Sequence, residues 1–448
     1  MKKKVVSVLV SALMVSTMLA GCTGAAGGKT EEAGTGEIKA ADKDAEKGQE
    51  EKENGDGELS GELNIVHYIA EAQKLKALDD MVDGFNKEYP DVKVNLESTT
   101  LDNYQDVVKL KISTGDAPDI LFGSCKTYSD LVNSGNIEDL TDQEFTARID
   151  DSVIDNVSID GKVYSIPLDQ LANAVYYNKD IFEELKLDIP TTYSEFIETC
   201  RKLKDAGYIP CAAGYQDGIS VGANFYTIFY GTNYLQCENH VNEMVNGEKK
   251  AEDYPSLARA LEQWREIMEY QNDDQKTINT DRAEQIFANG EAGMIIIGTW
   301  GLGAITQYNP EGNYGAFMFP SEEKAEDNTI PIAAGDCWMA VKDSPNHEAA
   351  MAFCEYMTRG DVNAQWCATT QEISMLKDVK VPSLPQASQD VADIIASGKV
   401  SNYNSINSFA GLYYSAWGET LLEFAVTEDM SVEQFCKELD NRFAAADK

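Results

Sequence analysis

From residue 59 onward the apolar positions switch between two periods. "GELNIVHYIA" opens with Leu63, Ile65 and Val66, a strand. Leu75, Leu78, Val82, Phe85 and Tyr89 then repeat at three and four, the spacing of one helix face, until Pro90 stops the run. "DVKVNLE" alternates Val92, Val94 and Leu96 as a second strand, a helical pattern covers 104–113, and "APDILFG" is a third short strand. This alternation predicts an α/β fold with a largely parallel sheet.

The same grammar continues downstream. "GKVYSIP" reads as a strand ending at Pro167, and "AVYYNKDIFEEL" as a strand running into a helix. "TYSEFIETCRKLKDAG" is an amphipathic helix with Thr192 and Glu195 as a capping box and Gly207 closing it. Leu257, Leu261, Trp264 and Met268 mark another helix. "AEQIFANG" is a short helix ended by Gly290, before the strand "AGMIII". "WMAV" is a strand, and "SPNHEAAMAFCEYM" a helix with Ser344 as N-cap and Pro345 at N1.

The N-terminus follows a different pattern. After "MKKK" comes a mostly apolar run of 16 residues, short for a membrane span and suited to a signal peptide. It ends in "LAGC", which resembles a lipobox, so residues 1–22 read as a lipoprotein signal peptide with Cys22 the lipidated residue. Residues 23–58 hold eleven acids, five bases and no aromatics, a composition that cannot bury a core and predicts a disordered acidic tether.

Length and charge narrow the function. A chain of 448 residues predicts two lobes or domains. The net charge of −39, from 76 acids against 37 bases, repels phosphate backbones and argues against nucleic acid as a partner. The eight cysteines besides Cys22 form no CxxC pair. None of His67, His240 and His347 has a metal-site neighbour at i+4, so no metal or cofactor is expected.

Four segments in order, "TGDAPDI" (114–120), "GKVYSIP" (161–167), "YYNKDIFEELKLDIPTTYSEF" (176–196) and "FANGEAGMIIIGTW" (287–300), together resemble the extracellular solute-binding proteins of ABC importers, the maltose-binding-like family 1. The resemblance implies a two-lobed periplasmic-binding-protein-like α/β fold with a hinge and an interlobe ligand cleft. Lobe 1 is expected at 59–168 and 335–375, lobe 2 at 169–334 and 376–448. It implies a monomeric, non-enzymatic protein with ABC-importer permease subunits as partners, while the lipobox and the long acidic tether suggest a lipid-anchored place on the extracellular face of a bacterial, Gram-positive membrane.

In open α/β sheets ligands bind beyond the carboxyl ends of strands. That rule nominates His67, Tyr68 and Glu71, then Gly123 and Ser124, then Asp169 and Gln170, then Thr299 and Trp300. "AAGDCWMAV" adds Gly335, Asp336 and Trp338, and "FAGLYYSAW" adds Tyr413, Tyr414 and Trp417. His67 suits a plain hydrogen-bonded role as well as ligand contact, and Trp264 and Trp366 read as packing residues. Members of the family often place the tryptophan matching Trp300 against the ligand. Aromatic rings with carboxylates and amides suit a carbohydrate, expected to be an oligosaccharide. A cationic solute such as a polyamine fits the plentiful acids. A surface glycoside hydrolase would need a carboxylate pair that no motif here specifies.

Overall fold

The structure, a computed structural model, describes residues 59–151, 153–231, 240–402 and 410–445, the side chains of 101, 102, 219, 241, 242, 402 and 410–415 excepted. Cys22 and the 23–58 tether lie outside the described residues, as do the side chains of Tyr413 and Tyr414.

The strands, in chain order, are β1 (Gly61–His67), β2 (Val92–Ser98), β3 (Ile120–Phe122), β4 (Ser158–Ile159), β5 (Lys162–Val163), β6 (Ile166–Pro167), β7 (Asp169–Asn178), β8 (Ile209–Ala212), β9 (Ala292–Gly298), β10 (Tyr314–Phe317), β11 (Ile330–Ala334), β12 (Cys337–Ala340), β13 (Ile373–Ser374) and β14 (Val400–Asn402). They build two main sheets. The first has the order β2-β1-β3-β12-β6, and the second β14-β11-β7-β9-β8, with β10 and β13 also paired to β7.

The first sheet is parallel across β1, β2 and β3, as the alternating pattern predicts, but β12 runs antiparallel to both β3 and β6. The second sheet is mixed. β7 is antiparallel to β9, β10, β11 and β13. β7 receives the chain directly from β6 of the first sheet. "GKVYSIP" breaks into two short pieces, β5 and β6, and the strand expected at "AVYY" begins earlier, at Asp169.

Each sheet has its own core, which makes the molecule two-lobed. Leu63, Ile65, Phe85, Ile120, Trp338 and Phe353 pack together in the first. Phe196, Phe225, Trp264, Met294 and Trp417 pack in the second. Trp264 is fully buried on its helical stripe, as its spacing predicts.

The matched motifs hold turns together. Gly115 ends the helix Leu101–Thr114 in the left-handed conformation, and Asp119 then enters the core. Its carboxylate accepts from the Asn64 amide nitrogen at 2.6 Å, from Asn64 Nδ2 at 3.0 Å, and from Ser344 Oγ and Asn346 Nδ2. The Ser344 oxygen also accepts from the Asn346 amide at 3.0 Å, but Asn346 holds the N-cap position. The Ser344 hydroxyl donates to Asp119, and the next helix starts later, at His347. The capping box at Thr192 is half formed: Thr192 accepts from the Glu195 amide, while the Glu195 carboxylate turns to Thr191.

Candidate functional site

The strand directions determine which edges of the two sheets meet. The chain passes from β6 into β7 through Leu168, and from β11 into β12 through Gly335 and Asp336. The two passages lie side by side. The Leu168 amide donates to Asp336 O at 2.9 Å, and the Gly335 amide to Asp169 O at 3.0 Å. The end of β6 and the start of β12 therefore face the start of β7 and the end of β11. Parallelism places the C-terminal ends of β1 and β3 on that edge of the first sheet. It places the C-terminal ends of β8 and β9 on that edge of the second.

On the first sheet, His67 closes β1. Its Nδ1 accepts from the Ile69 amide at 3.2 Å, and burial lowers its pKa despite the nearby Asp79 carboxylate. It is a neutral residue of a buried turn. Tyr68 follows, partly exposed, edge-on to Tyr104 and Phe122 at 4.9 and 4.8 Å. Glu71 occupies the N-cap position of the helix Ala72–Glu88 and is half-buried. Ser124, also half-buried, accepts from the Lys126 amide at 3.2 Å.

On the second sheet, Thr299 is buried. It fastens the end of β9 to β7 by accepting from the Ala172 amide at 3.4 Å and donating to Gln170 O at 3.2 Å. Trp300 starts the helix Trp300–Tyr308 and is half-buried. Its indole folds back over Gly298, where a Cβ would meet Nε1 at 2.3 Å. This is why a strand of seven buried residues ends in glycine.

Three residues here were absent from the sequence-based set. Gln216 and Asp217 follow β8, whose end the same rule covers. Gln216 is exposed, and Asp217 accepts from the Thr280 amide at 2.9 Å. Glu284 lies on the helix Thr280–Ala288, one residue from the buried Ala283 and three from Phe287. It is only 5% exposed and sits beneath the start of the Trp300 helix, its Oε1 3.2 Å from where a Cβ on Gly301 would be. Burial, then the charges of Asp281, Glu71 and Asp217, push its pKa up to about 8. The influence of Glu71, from the first sheet's helix, shows that acids from both lobes share one potential here.

The passages between the sheets hold the other nominated acids, away from any exposed face. Asp169 is 1% exposed; its Oδ1 accepts from the Asp336 amide at 2.9 Å and its Oδ2 from Trp366 Nε1 at 2.7 Å. Gly335 permits this approach, since a Cβ there would stand 2.0 Å from Asp169 Oδ1. The Asp336 carboxylate pairs with Lys74 Nζ at 2.6 Å, and Lys74 also pairs with Glu372 at 3.2 Å. Asp169 and Asp336 are thus buried tethers between segments, where the strand-end rule suggested ligand contacts. Gln170 is a ladder residue opposite Ala334. Trp338 is fully buried, 4.9 Å from Phe122 and 6.5 Å from Trp366, because β12 enters the sheet at its N-terminal end and turns this ring into the core. Trp417 is likewise a core residue.

Carboxylate oxygens of Asp169, Asp336 and Glu372 lie within 4.8 Å of one another, a metal-like grouping among the described residues. The ammonium of Lys74 supplies the cation there.

A groove of 560 Å³ also flanks the Ala72 and Trp300 helices, lined among others by Gln73, Gly303, Thr306, Gln307 and Gln371. None of the strand-end residues lines it, so topology points to the edge bearing Tyr68, Glu71 and Trp300 as the ligand face.

Known proteins share this architecture. A multiple sugar-binding protein of Streptococcus mutans is 26% identical over 315 residues, 65% of this chain and 70% of that protein. The melibiose/raffinose/stachyose-binding protein MelE of Bacillus subtilis is 25% identical over 330 residues, 71% of this chain and 75% of that protein. The solved structure of the solute-binding protein RafE in complex with raffinose superposes with a TM-score of 0.73 at 20% identity, covering 86% of this chain and 99% of that one. Residues 70–364 match the bacterial extracellular solute-binding protein family, and the chain belongs to it.

Proposed function

We propose that this protein is a lipid-anchored extracellular receptor that captures a carbohydrate, an oligosaccharide, between its lobes and delivers it intact to an ABC importer. The observation that carries the reading is the half-buried Trp300 indole at the end of β9. The strand ends on the same facing edges of the two sheets carry side chains able to bond hydroxyls: Tyr68, Glu71, Ser124, Gln216 and Asp217. A ring face takes the apolar C–H side of a sugar, and carboxylates and amides take its hydroxyls. Micromolar affinity requires about −8 kcal/mol, within reach of one stacked ring and several hydrogen bonds in a closing cleft. The named specificities of MelE and RafE support the sugar class.

The lobes we assign are 59–168 with 335–375, and 169–334 with 376–448. The strand membership of the two sheets supports this division except at β13, which falls within 335–375 yet pairs with β7 of the second sheet, so that the stretch from Glu372 is shared between the lobes. Cys22 is the proposed lipid anchor, and no helix among the described residues is long and apolar enough to cross a membrane.

A second reading, a polyamine receptor, is favoured by one observation. Glu284 is held protonated well above the usual range by burial and by Asp281, Glu71 and Asp217, a negative potential that a cation would relieve.

Isothermal titration with raffinose, stachyose, maltodextrins and spermidine tests both. Heat with one sugar series, and recovery of that sugar unshortened after long incubation, is the expected result. Binding of spermidine alone would replace the sugar reading with the second, and shortened products would make the protein a hydrolase.

A further inference from the structure

Lys74 is the third residue of the helix Ala72–Glu88, yet its side chain is only 8% exposed. It points inward to three carboxyls, each on a different segment that touches both sheets. Asp169 begins β7, at the passage from the first sheet to the second. Asp336 lies on the return passage, immediately before β12. Glu372 stands between the helix Gly360–Thr370, which packs on the Lys74 helix, and β13, which pairs with β7. The left-handed turn at Gln371 (φ 64°) aims this segment back into the interior.

The arrangement divides by sheet. Lys74 and Asp336 belong with the first sheet's helix and with β12. Asp169 and Glu372 belong with β7 and its partner β13. The Lys74–Glu372 pair and the hydrogen bond from the Asp336 amide to Asp169 therefore bridge elements of the two sheets, and a rotation between lobes would shear them.

The charges do not balance by themselves. Three buried carboxylates face one ammonium, and two uncompensated charges in a low-dielectric interior are costly. Protons make up the difference. Oxygens of Asp169 and Glu372 lie within 4.8 Å of each other, and burial raises the pKa of both carboxyls. Burial and then the Asp169 carboxylate push Asp336 up to about 7, against the pull of Lys74. Burial alone would lower Lys74, but Asp336, Glu372 and Asp169 outweigh it and keep the ammonium. The remaining titratable groups facing the cluster are Glu71, at the head of the same helix, the buried thiols of Cys337 and Cys367, and the Tyr176 phenol.

We propose that Lys74 is the positioning residue of the hinge: its ammonium clamps the three connecting segments, and the number of protons held by Asp169, Asp336 and Glu372 sets the relative arrangement of the lobes. With two protons the cluster is neutral and the clamp is closed. With one, a net negative charge remains, Asp336 repels the Asp169–Glu372 pair across the lobe boundary, and the lobes spread. Nothing in this requires knowing the ligand.

The test uses ligand-free full-length protein with spin labels at the exposed positions Asp83 and Glu262, one in each lobe, introduced as Asp83→Cys and Glu262→Cys. The described native cysteines are all buried. Interlobe distance distributions are measured at pH 6 and pH 9. The labelled parent is expected to lengthen at pH 9. Asp336→Asn, which removes the titrating charge while keeping the side chain's shape, is expected to give the pH 6 distribution at both values. Lys74→Met is expected to spread the lobes at both, and should it fail to fold, the Asp336→Asn comparison decides alone. An unchanged parent distribution between pH 6 and pH 9, or a shift that persists in Asp336→Asn, overturns the proposal.

Discussion

A Cβ on Gly298 would stand 2.3 Å from Nε1 of Trp300, so the indole lies folded across the end of β9 and its position depends on the missing side chain. The obstructed atom belongs to the end of a movable side chain, so an added methyl would displace the ring before it displaced backbone. Gly298→Ala is expected to weaken ligand binding at least tenfold, about 1.4 kcal/mol, and Trp300→Ala at least as much. Both should cost less than about 2 kcal/mol of stability, because the ring is only half-buried. Titration calorimetry beside urea unfolding checks this. A large stability loss with normal affinity would make Trp300 a packing residue.

Gly335 presents the opposite case. A Cβ there would meet Asp169 Oδ1 at 2.0 Å and the Asp169 carbonyl oxygen at 2.9 Å. The carboxylate is pinned by the Asp336 amide and the Trp366 indole, and the carbonyl by the Gly335 amide, so neither yields easily. Gly335→Ala is expected to destabilise the protein by about 2–4 kcal/mol, as unrelieved overpacking and broken buried hydrogen bonds do. Urea unfolding monitored by tryptophan fluorescence measures it.

The "TGDAPDI" segment makes a stability prediction of its own. Asp119 is fully buried and gathers donors from Asn64, Ser344 and Asn346, which come from widely separated parts of the chain. Asp119→Ala would strand them, at an expected cost of about 3 kcal/mol. Ligand affinity should stay within about twofold when measured below the new melting point, because Asp119 lies at the start of β3, the end opposite the ligand face.

These three cases show what the sequence exposes. Trp264 and the helix through Phe85 are legible because burial repeats with the helical period. The place of Trp300 just past the end of β9 is legible because a glycine and a large aromatic follow an unbroken apolar strand. Trp338 misleads because, although antiparallel β12 starts on the same edge as the end of β3, its ring turns to the sheet face that packs with Phe122 and Trp366. Lys74 and Glu372 are invisible, since their partnership depends on where three distant segments pass between sheets. Glu284 is hidden by helical spacing: it stands among Asp281 and Arg282 on the same helix, and the helix starting at Trp300 lies over it.

The lipobox makes a prediction about location. If Cys22 carries the lipid, Cys22→Ser is expected to move the protein from the membrane pellet to the medium, while titration shows unchanged ligand affinity in the released protein. Two or more acyl chains suffice for stable anchoring, so the shift should be near complete. Retention of the variant on membranes would remove the anchor assignment without touching the fold.

Glu284 gives stability an unusual slope with pH. Its pKa is raised from 4.5 to about 8 in the folded protein, by burial first and then by Asp281, Glu71 and Asp217. In the unfolded chain the carboxyl ionises near its ordinary value. Between about 4.5 and 8 the folded state holds a proton that the unfolded state has released. Stability then falls as pH rises, by up to roughly 1.4 kcal/mol per pH unit for one such group, and flattens above about 8. Asp336, raised to about 7, and Asp169 and Glu372, raised by burial, add to the same slope, while His67, lowered by burial, opposes it around its ordinary value. Carboxylates with lowered values, such as Asp139 and Glu195, have the opposite sign, but they act at lower pH and leave this window alone. Melting temperature is therefore expected to decline steadily from pH 5 to pH 8. Glu284→Gln keeps the side chain's size, cannot ionise, and should make the decline between pH 7 and pH 8 shallower than in the parent. A parent protein whose melting temperature rises over this range would mean that Glu284 is ionised in the folded state, with a cation or an uncovered path to water beside it.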